Sequence, residues 1–283
     1  MNLLETRGPH HFGPWTLTQI VEWEGEAFPH NVLFPDLPVE AVRRSTPSGI
    51  HGRLTETGML ITSTQLFVLR REDLVILVEL GTGNGKARPA EAYWDHQNLP
   101  YLETLAALNI QPEDVAYAFI SHCHVDHVGL GTTQKDGCWV PTFPRARYVL
   151  RPAEWEYWSG LPDQHPCLED SVKPLVDAGR IQWVQDGECV AGIRIHDAAG
   201  HTPGNMIFEV EGQDLWLLGD LLHHPAQIAH PEWPSAAFDT YVELNTRQRR
   251  RYFKHFADTN AALFAVHMGD QFKVTETAPA ASK

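Results

Sequence analysis

Ser121-His122-Cys123-His124-Val125-Asp126-His127-Val128-Gly129 gathers three imidazoles and a carboxylate within a single short stretch. The apolar run 115–120 comes directly before it and reads as a buried strand. The polar side chains therefore sit where that strand ends and the backbone turns. A solvated turn has no use for this density of donors, whereas neutral imidazole and carboxylate are the usual ligands of zinc and its neighbours. The stretch is expected to bind metal; the competing reading is a histidine-rich surface turn.

The same arrangement recurs along the chain. The run 190–196 leads into Ala199-Gly200-His201-Thr202-Pro203-Gly204, where glycine and proline force a tight loop that can hold His201 forward. The run 215–218 is followed by Gly219-Asp220, and the run 261–266 by His267. One histidine after a strand is weak evidence. Four strands that each end in His or Asp point to the sheet edge where ligands are commonly bound. His122, His124, Asp126, His127, His201, Asp220 and His267 make seven donors. A four-coordinate catalytic ion needs about three plus water. Seven suit two divalent ions sharing one carboxylate, ~3.5–4 Å apart. Zinc is expected, and manganese, iron or cobalt are compatible with the same nitrogen and oxygen donors.

The rest of the chain sets bounds. Its 283 residues are 43% hydrophobic and 20% charged, ordinary for a globular protein with a sizeable core. Residues 1–14 carry Glu5 and Arg7 and do not read as a secretory signal. No run approaches the ~18–20 apolar residues of a membrane span, so a soluble, cytoplasmic protein is expected. Cys123, Cys138, Cys167 and Cys189 form no CxxC and read as free thiols in a reducing compartment. A net charge of −14 suits neither nucleic acid nor other polyanions, and favours a neutral substrate. Arg247, Arg249, Arg250 and Arg251 read as a solvated helix face.

Residues 1–35 form an aromatic, proline-punctuated N-terminal extension, with 15–23 alternating like an edge strand and a loop-like stretch beyond it. Its apolar surplus is expected to pack on the core or on a partner subunit, which makes a homodimer plausible. Runs 59–69 and 74–80 read as a hairpin. The glycine-rich 81–86 lacks the GxxxxGK[ST] spacing and reads as a turn. Helices are expected at 99–109, 154–158, 171–178 and 242–257, and a Gly/Thr-rich loop at 129–137. Strands are expected at 146–150 and 181–184, and a hairpin at 206–210 and 215–218. The tail 275–283 reads as frayed. No repeat or long linker appears, so 1–283 is expected to be one α/β domain.

His122-x-His124-x-Asp126-His127, then Gly200-His201-Thr202-Pro203-Gly204, Gly219-Asp220 and His267 resemble, in order, the motifs of the metallo-β-lactamase superfamily. The resemblance covers roughly 55–270. It implies a four-layer αββα sandwich with a binuclear centre. His122, His124 and His201 would hold one ion, Asp126, His127 and His267 the other, and Asp220 would bridge them. Class B β-lactamases typically carry cysteine at the position of Asp220. Glyoxalase II adds a C-terminal helical domain, whereas sixteen residues follow His267. The chain looks most like the quorum-quenching lactonases and methyl parathion hydrolase-like phosphotriesterases, through 219–227, His230-Pro231-Glu232-Trp233, Phe238-Asp239 and 136–144. It departs at His223, where small lactonases carry tyrosine, and at Glu79-Leu80-Gly81, where many relatives read Asp-Thr-Gly and use the aspartate to hold a metal ligand.

The function implied is hydrolysis of a lactone or carboxylic ester, of the N-acyl homoserine lactone type, by a hydroxide generated between the ions. Asp126 would carry the proton to the leaving oxygen, and His223 would donate a hydrogen bond to the substrate or oxyanion. Trp139, Trp155, Trp158 and Trp233, lying near the motifs, would line an apolar pocket. The alternatives are phosphotriester or aryl ester hydrolysis at the same centre and a metal-binding protein without catalysis.

Overall fold

Runs of β-branched and aromatic residues, punctuated by tight turns, build two main sheets in the computed structural model, which describes residues 2–45, 53–89, 93–161 and 167–274. The chain divides into two compact units: Met1–Trp23 with Thr64–Gln185, and Glu24–Ser63 with Asp186–Lys283. The mixed α/β class with two main sheets, expected from the sequence, is what is found.

The first unit is built on β1 (Glu5–Phe12), β2 (Trp15–Pro29), β3 (Met59–Arg71), β4 (Leu74–Val78), β5 (Val115–Phe119), β6 (Thr132–Lys135), β7 (Cys138–Pro141), β8 (Arg147–Leu150) and β9 (Ile181–Trp183). The division between units falls within β2 and within β3. Seven strands order as β1-β2-β3-β4-β5-β8-β9, while β6 and β7 pair separately. The expected β3–β4 hairpin closes with Arg71 opposite Leu74. From β4 onward β4, β5, β8 and β9 run parallel. Parallel neighbours need crossovers, usually helical; Tyr101–Ala107, Pro152–Ser159 and Lys173–Asp177 supply helices there. The core of this unit holds Leu66, Val68, Leu77, Val115, Ala118, Tyr148 and Leu175.

The second unit carries β10 (Cys189–Val190), β11 (Ile193–Asp197), β12 (Met206–Val210), β13 (Leu215–Leu217) and β14 (Ala262–Phe264), in that order across a five-stranded sheet. β13 and β14 are parallel, joined through the helix Val242–Thr259. That helix buries Asn245, Gln248, Arg249, Tyr252, Phe253 and Phe256, one stripe at helical spacing. Phe253 and Phe256 pack with Trp216, Leu218 and Leu263, each burial contributing about 1.5–3 kcal/mol. Asn260, in the left-handed region at φ 53°, ends the helix.

Four expectations are corrected. Residues 15–23 are not an edge strand: β1 pairs outside them, with its register slipping between Arg7 and His10 around Gly8-Pro9. The stretch beyond is not all loop, since His30–Leu33 and Val39–Ser45 are short helices. Residues 129–137 are not a loop, because Thr132–Lys135 is a strand turning on Asp136-Gly137 into β7. Both turn residues have positive φ, 53° and 80°, the combination a two-residue hairpin favours. Arg249 is not solvated but wholly buried. The apolar surplus of 1–35 is used within the chain, with Trp15, Leu17, Ile20, Leu33 and Phe34 all buried. That leaves the homodimer without its argument. The tail 275–283 lies outside the described residues.

One close approach fixes the opening stretch. A Cβ on Gly129 would lie 1.8 Å from the Thr82 carbonyl oxygen. The Gly81 carbonyl accepts from Gly129 N at 2.8 Å, so the glycine turn 81–86 is the seat of the metal motif. Gly129→Ala is expected to destabilise the protein by about 3 kcal/mol or more, read as a lower urea midpoint of the metal-free protein. Among the described residues no helix is long and apolar enough to cross a membrane.

Candidate metal centre

In the first unit the parallel neighbours β4 and β5 end side by side, and each delivers a site residue. β5 runs out at Phe119, and the chain turns through Ser121 and His122 into the helical turn Val125–Val128. His122 and His127 are fully buried and Asp126 nearly so. The His122 and His127 rings lie 4.0 Å apart, and His122 Nε2 stands 3.0 Å from His124 Nδ1. Cys123 points the other way, into the hydrophobic core, and its amide donates to Glu154 Oε2 at 3.0 Å. β4 ends at Val78 because Glu79 takes a left-handed φ of 61°. Its buried carboxylate accepts from His127 Nδ1 at 3.0 Å. Glu79 thus anchors the Nδ1 side of the His127 ring. Glu79→Gln is expected to weaken zinc binding ~10–100-fold, measurable by competition with a chelator.

In the second unit β11, β13 and β14 point the same way, so their C-terminal ends share one edge. His201 follows β11 on a loop whose Gly200 a side chain could not replace: a Cβ there would lie 2.4 Å from Asn245 N. Asp220 follows β13 and His267 follows β14. The single oxygen Asp220 Oδ2 lies 3.3 Å from His201 Nε2, 3.2 Å from His267 Nε2 and 3.2 Å from His223 Nε2.

The far side of each ring decides what faces Asp220. His201 Nδ1 lies 3.1 Å from the Asp239 carboxylate, and His267 Nδ1 lies 2.8 Å from the Ser63 carbonyl. Both partners only accept, so in the neutral rings the proton sits on Nδ1 and Nε2 presents a lone pair. Two lone pairs aimed at a carboxylate oxygen repel unless a cation lies among them. The donor set therefore fits a metal ion. His223 differs. Its Nδ1 lies 2.9 Å from Ser235 Oγ, which already accepts from Gln227 Nε2 at 3.0 Å and has its own proton to give. Burial pushes His223 down to about 4, so the neutral ring can keep its proton on Nε2 and donate to Asp220. The partner on Nδ1 separates this imidazole from the two beside it. Its neighbour His224 is structural: Nε2–H donates to the Arg53 carbonyl at 3.0 Å and Nδ1 accepts from Ala226 N at 3.1 Å.

The four tryptophans are placed differently. Trp158 meets a donor, its ring edge-on to His124 at 5.5 Å, with Nε1–H donating to Glu154. Trp139 carries the buried Lys86 ammonium 3.8 Å over its ring. Trp155 packs against the first unit's core, and Trp233 packs with Phe34 and stacks on His230. On the other side of His223 lies Phe238, stacked at 5.5 Å. Asp239, Ser235 and Gln227 were not singled out as site residues from the sequence, and no local pattern marks them.

The Metallo-beta-lactamase superfamily model matches residues 59–264. The chain belongs to that superfamily and is a metal-dependent hydrolase of it. An N-acyl homoserine lactonase of Bacillus sp is 25% identical over 215 residues, covering 71% of this chain and 80% of that one. Its counterpart from Bacillus cereus is 24% identical over the same shares. Among solved structures, AidC, a dizinc quorum-quenching lactonase in complex with a product, superposes with a TM-score of 0.76 at 18% identity, covering 98% of this chain and 95% of its own. AbOPH, a hydrolase in the β-lactamase superfamily, gives 0.72 at 24% identity, with 91% and 88% covered. At these identities the structural likeness is one of fold.

Proposed function

We propose that this chain is a binuclear lactonase that opens the ring of a neutral, acyl-substituted lactone of the N-acyl homoserine type, working in the cytoplasm. The observation that carries the reading is the setting of His201 and His267, each with Nδ1 against an acceptor and Nε2 turned to Asp220, which supports a cation site at residues of the superfamily motif. The curated relatives at 23–25% identity are N-acyl homoserine lactonases, which supports this substrate class. We assign His122, His124 and His201 to one ion, Asp126, His127 and His267 to the other, and Asp220 to both. The ions, when bound, would activate water near neutral pH and polarise the scissile carbonyl.

The chain's own residues do the rest. Glu79 and Asp239 hold the Nδ1 protons of His127 and His201 and so aim their Nε2 lone pairs. Asp126, nearly buried at the start of its helical turn, would take the proton given up by the attacking water and pass it to the leaving alkoxide. His223 donates from Nε2 to Asp220 and, with substrate present, to the carbonyl oxygen as negative charge develops there. Phe238 offers apolar surface beside His223, and Trp158 beside His124. The free thiols of Cys123, Cys138, Cys167 and Cys189 suit a reducing cytoplasm.

Hydrolysis of phosphotriesters is the second reading, favoured by histidine at 223 in place of tyrosine. A metal-loaded activity panel of long-chain homoserine lactones, aryl esters and paraoxon-type phosphotriesters, repeated with His122→Ala, separates the two. Turnover led by the lactones and lost in the variant is expected. Turnover of phosphotriesters with none of the lactones would sink the lactonase assignment.

A further inference from the structure

The helix Val242–Thr259 reaches the candidate centre through two side chains on one face, Asn245 and Arg249, spaced i and i+4. Asn245 is fully buried, and its Nδ2–H donates to Asp239 Oδ1 at 2.8 Å. That same oxygen accepts from His201 Nδ1 at 3.1 Å. Arg249 is also fully buried, with Nη2 3.9 Å from Asp239 Oδ2. Its Nε–H donates to the Leu221 carbonyl at 2.8 Å, and Nη1 donates to the carbonyls of Pro231, at 3.2 Å, and Trp233. Leu221 lies next to Asp220, and Trp233 lies two residues before Ser235, the partner of His223. Backbone bonds close the arrangement: Thr240 N donates to the His201 carbonyl and Tyr241 N to the Gly200 carbonyl, both at 2.8 Å.

A buried guanidinium is costly, and burial pulls this one down only to about 10, so it stays charged at neutral pH. A hydrophobic residue of similar volume would fill the space between helix and sheet without that cost. What it could not do is neutralise the buried Asp239 carboxylate and tie down three carbonyls of the 221–233 segment at once. Asp239 Oδ1 faces His201 Nδ1 at 3.1 Å, and Arg249 is the cation packed against its other oxygen.

We propose that Asn245 and Arg249 are positioning residues that act through Asp239 to fix the tautomer and aim of His201, so that the helix Val242–Thr259 sets the metal affinity of the centre. This rests on the reading of His201 as a metal ligand. It makes no demand on the substrate. The test is zinc affinity by chelator competition, with the metal-free protein's thermal midpoint followed in parallel. Asp239→Asn is expected to weaken zinc ~10–100-fold, and Asn245→Ala and Arg249→Lys on the order of 10-fold. Arg250→Lys, exposed on the same helix, is expected to bind zinc as the parent does. Affinities of Asn245→Ala and Arg249→Lys within about twofold of the parent would overturn the proposal. A second measurement needs no variant: long-range nitrogen–proton NMR of the metal-free parent should show His201 protonated on Nδ1, and a proton on Nε2 would equally overturn it. Because neither readout uses hydrolysis, a lactone panel that fails while zinc affinity falls as expected removes the proposed substrate and leaves this inference standing.

Discussion

Asp220→Ala is expected to cost on the order of 10³-fold or more in kcat/KM, about 4 kcal/mol of transition-state stabilisation. The reason is convergence. One oxygen of this buried carboxylate faces three imidazole nitrogens at 3.2–3.3 Å, and it is the anionic donor assigned to both ions. Without it the ions would lose the anionic donor they share, and His223 loses its acceptor. The effect should separate from folding. In the metal-free protein the substitution removes a buried carboxylate that faces the lone pairs of His201 and His267, so the thermal midpoint is expected to be unchanged or higher. A residue that only braced the core would show the reverse: a lowered midpoint with activity nearly intact.

Asp126→Asn carries the second large effect. An amide at this position can still ligate through its oxygen but cannot take or return a proton. A fall of 10²–10⁴-fold in kcat is expected, with KM within a few-fold because substrate contacts are unchanged. Steady-state kinetics on the zinc-loaded variant reads both. A metal-binding protein without catalysis predicts no hydrolysis by parent or variant, and a purely structural Asp126 predicts that kcat survives.

The candidate donors can be picked out because each follows an apolar run, and the sheet topology places several of those run ends on one edge of their own sheet. β13 and β14 run parallel, so Asp220 and His267 follow neighbouring strand ends, and β11 points the same way two strands across. β4 and β5 do the same for Glu79 and His122. What holds the donors was not legible. Glu79 meets His127 from 48 residues away, and Asp239 meets His201 from 38. No local pattern encodes such pairs: Glu79 stands where the sequence departs from Asp-Thr-Gly, and its contact with His127 is made only by the fold. Arg249 sat within a basic run that resembles a solvated face; its burial follows from the phase of the helix against Tyr252, Phe253 and Phe256. The β6–β7 hairpin did carry a signal in Asp136-Gly137, outweighed by the glycines and threonines around it. β1 was hidden by Gly8-Pro9, which interrupts the alternation where the register slips.

The central claim is that the motif donors bind a pair of metal ions. Elemental analysis of the zinc-loaded protein after removal of free metal tests it most directly. About two equivalents per chain are predicted, falling in Asp220→Ala. A parent that retains none, or whose zinc is unaffected by loss of Asp220, would contradict the account.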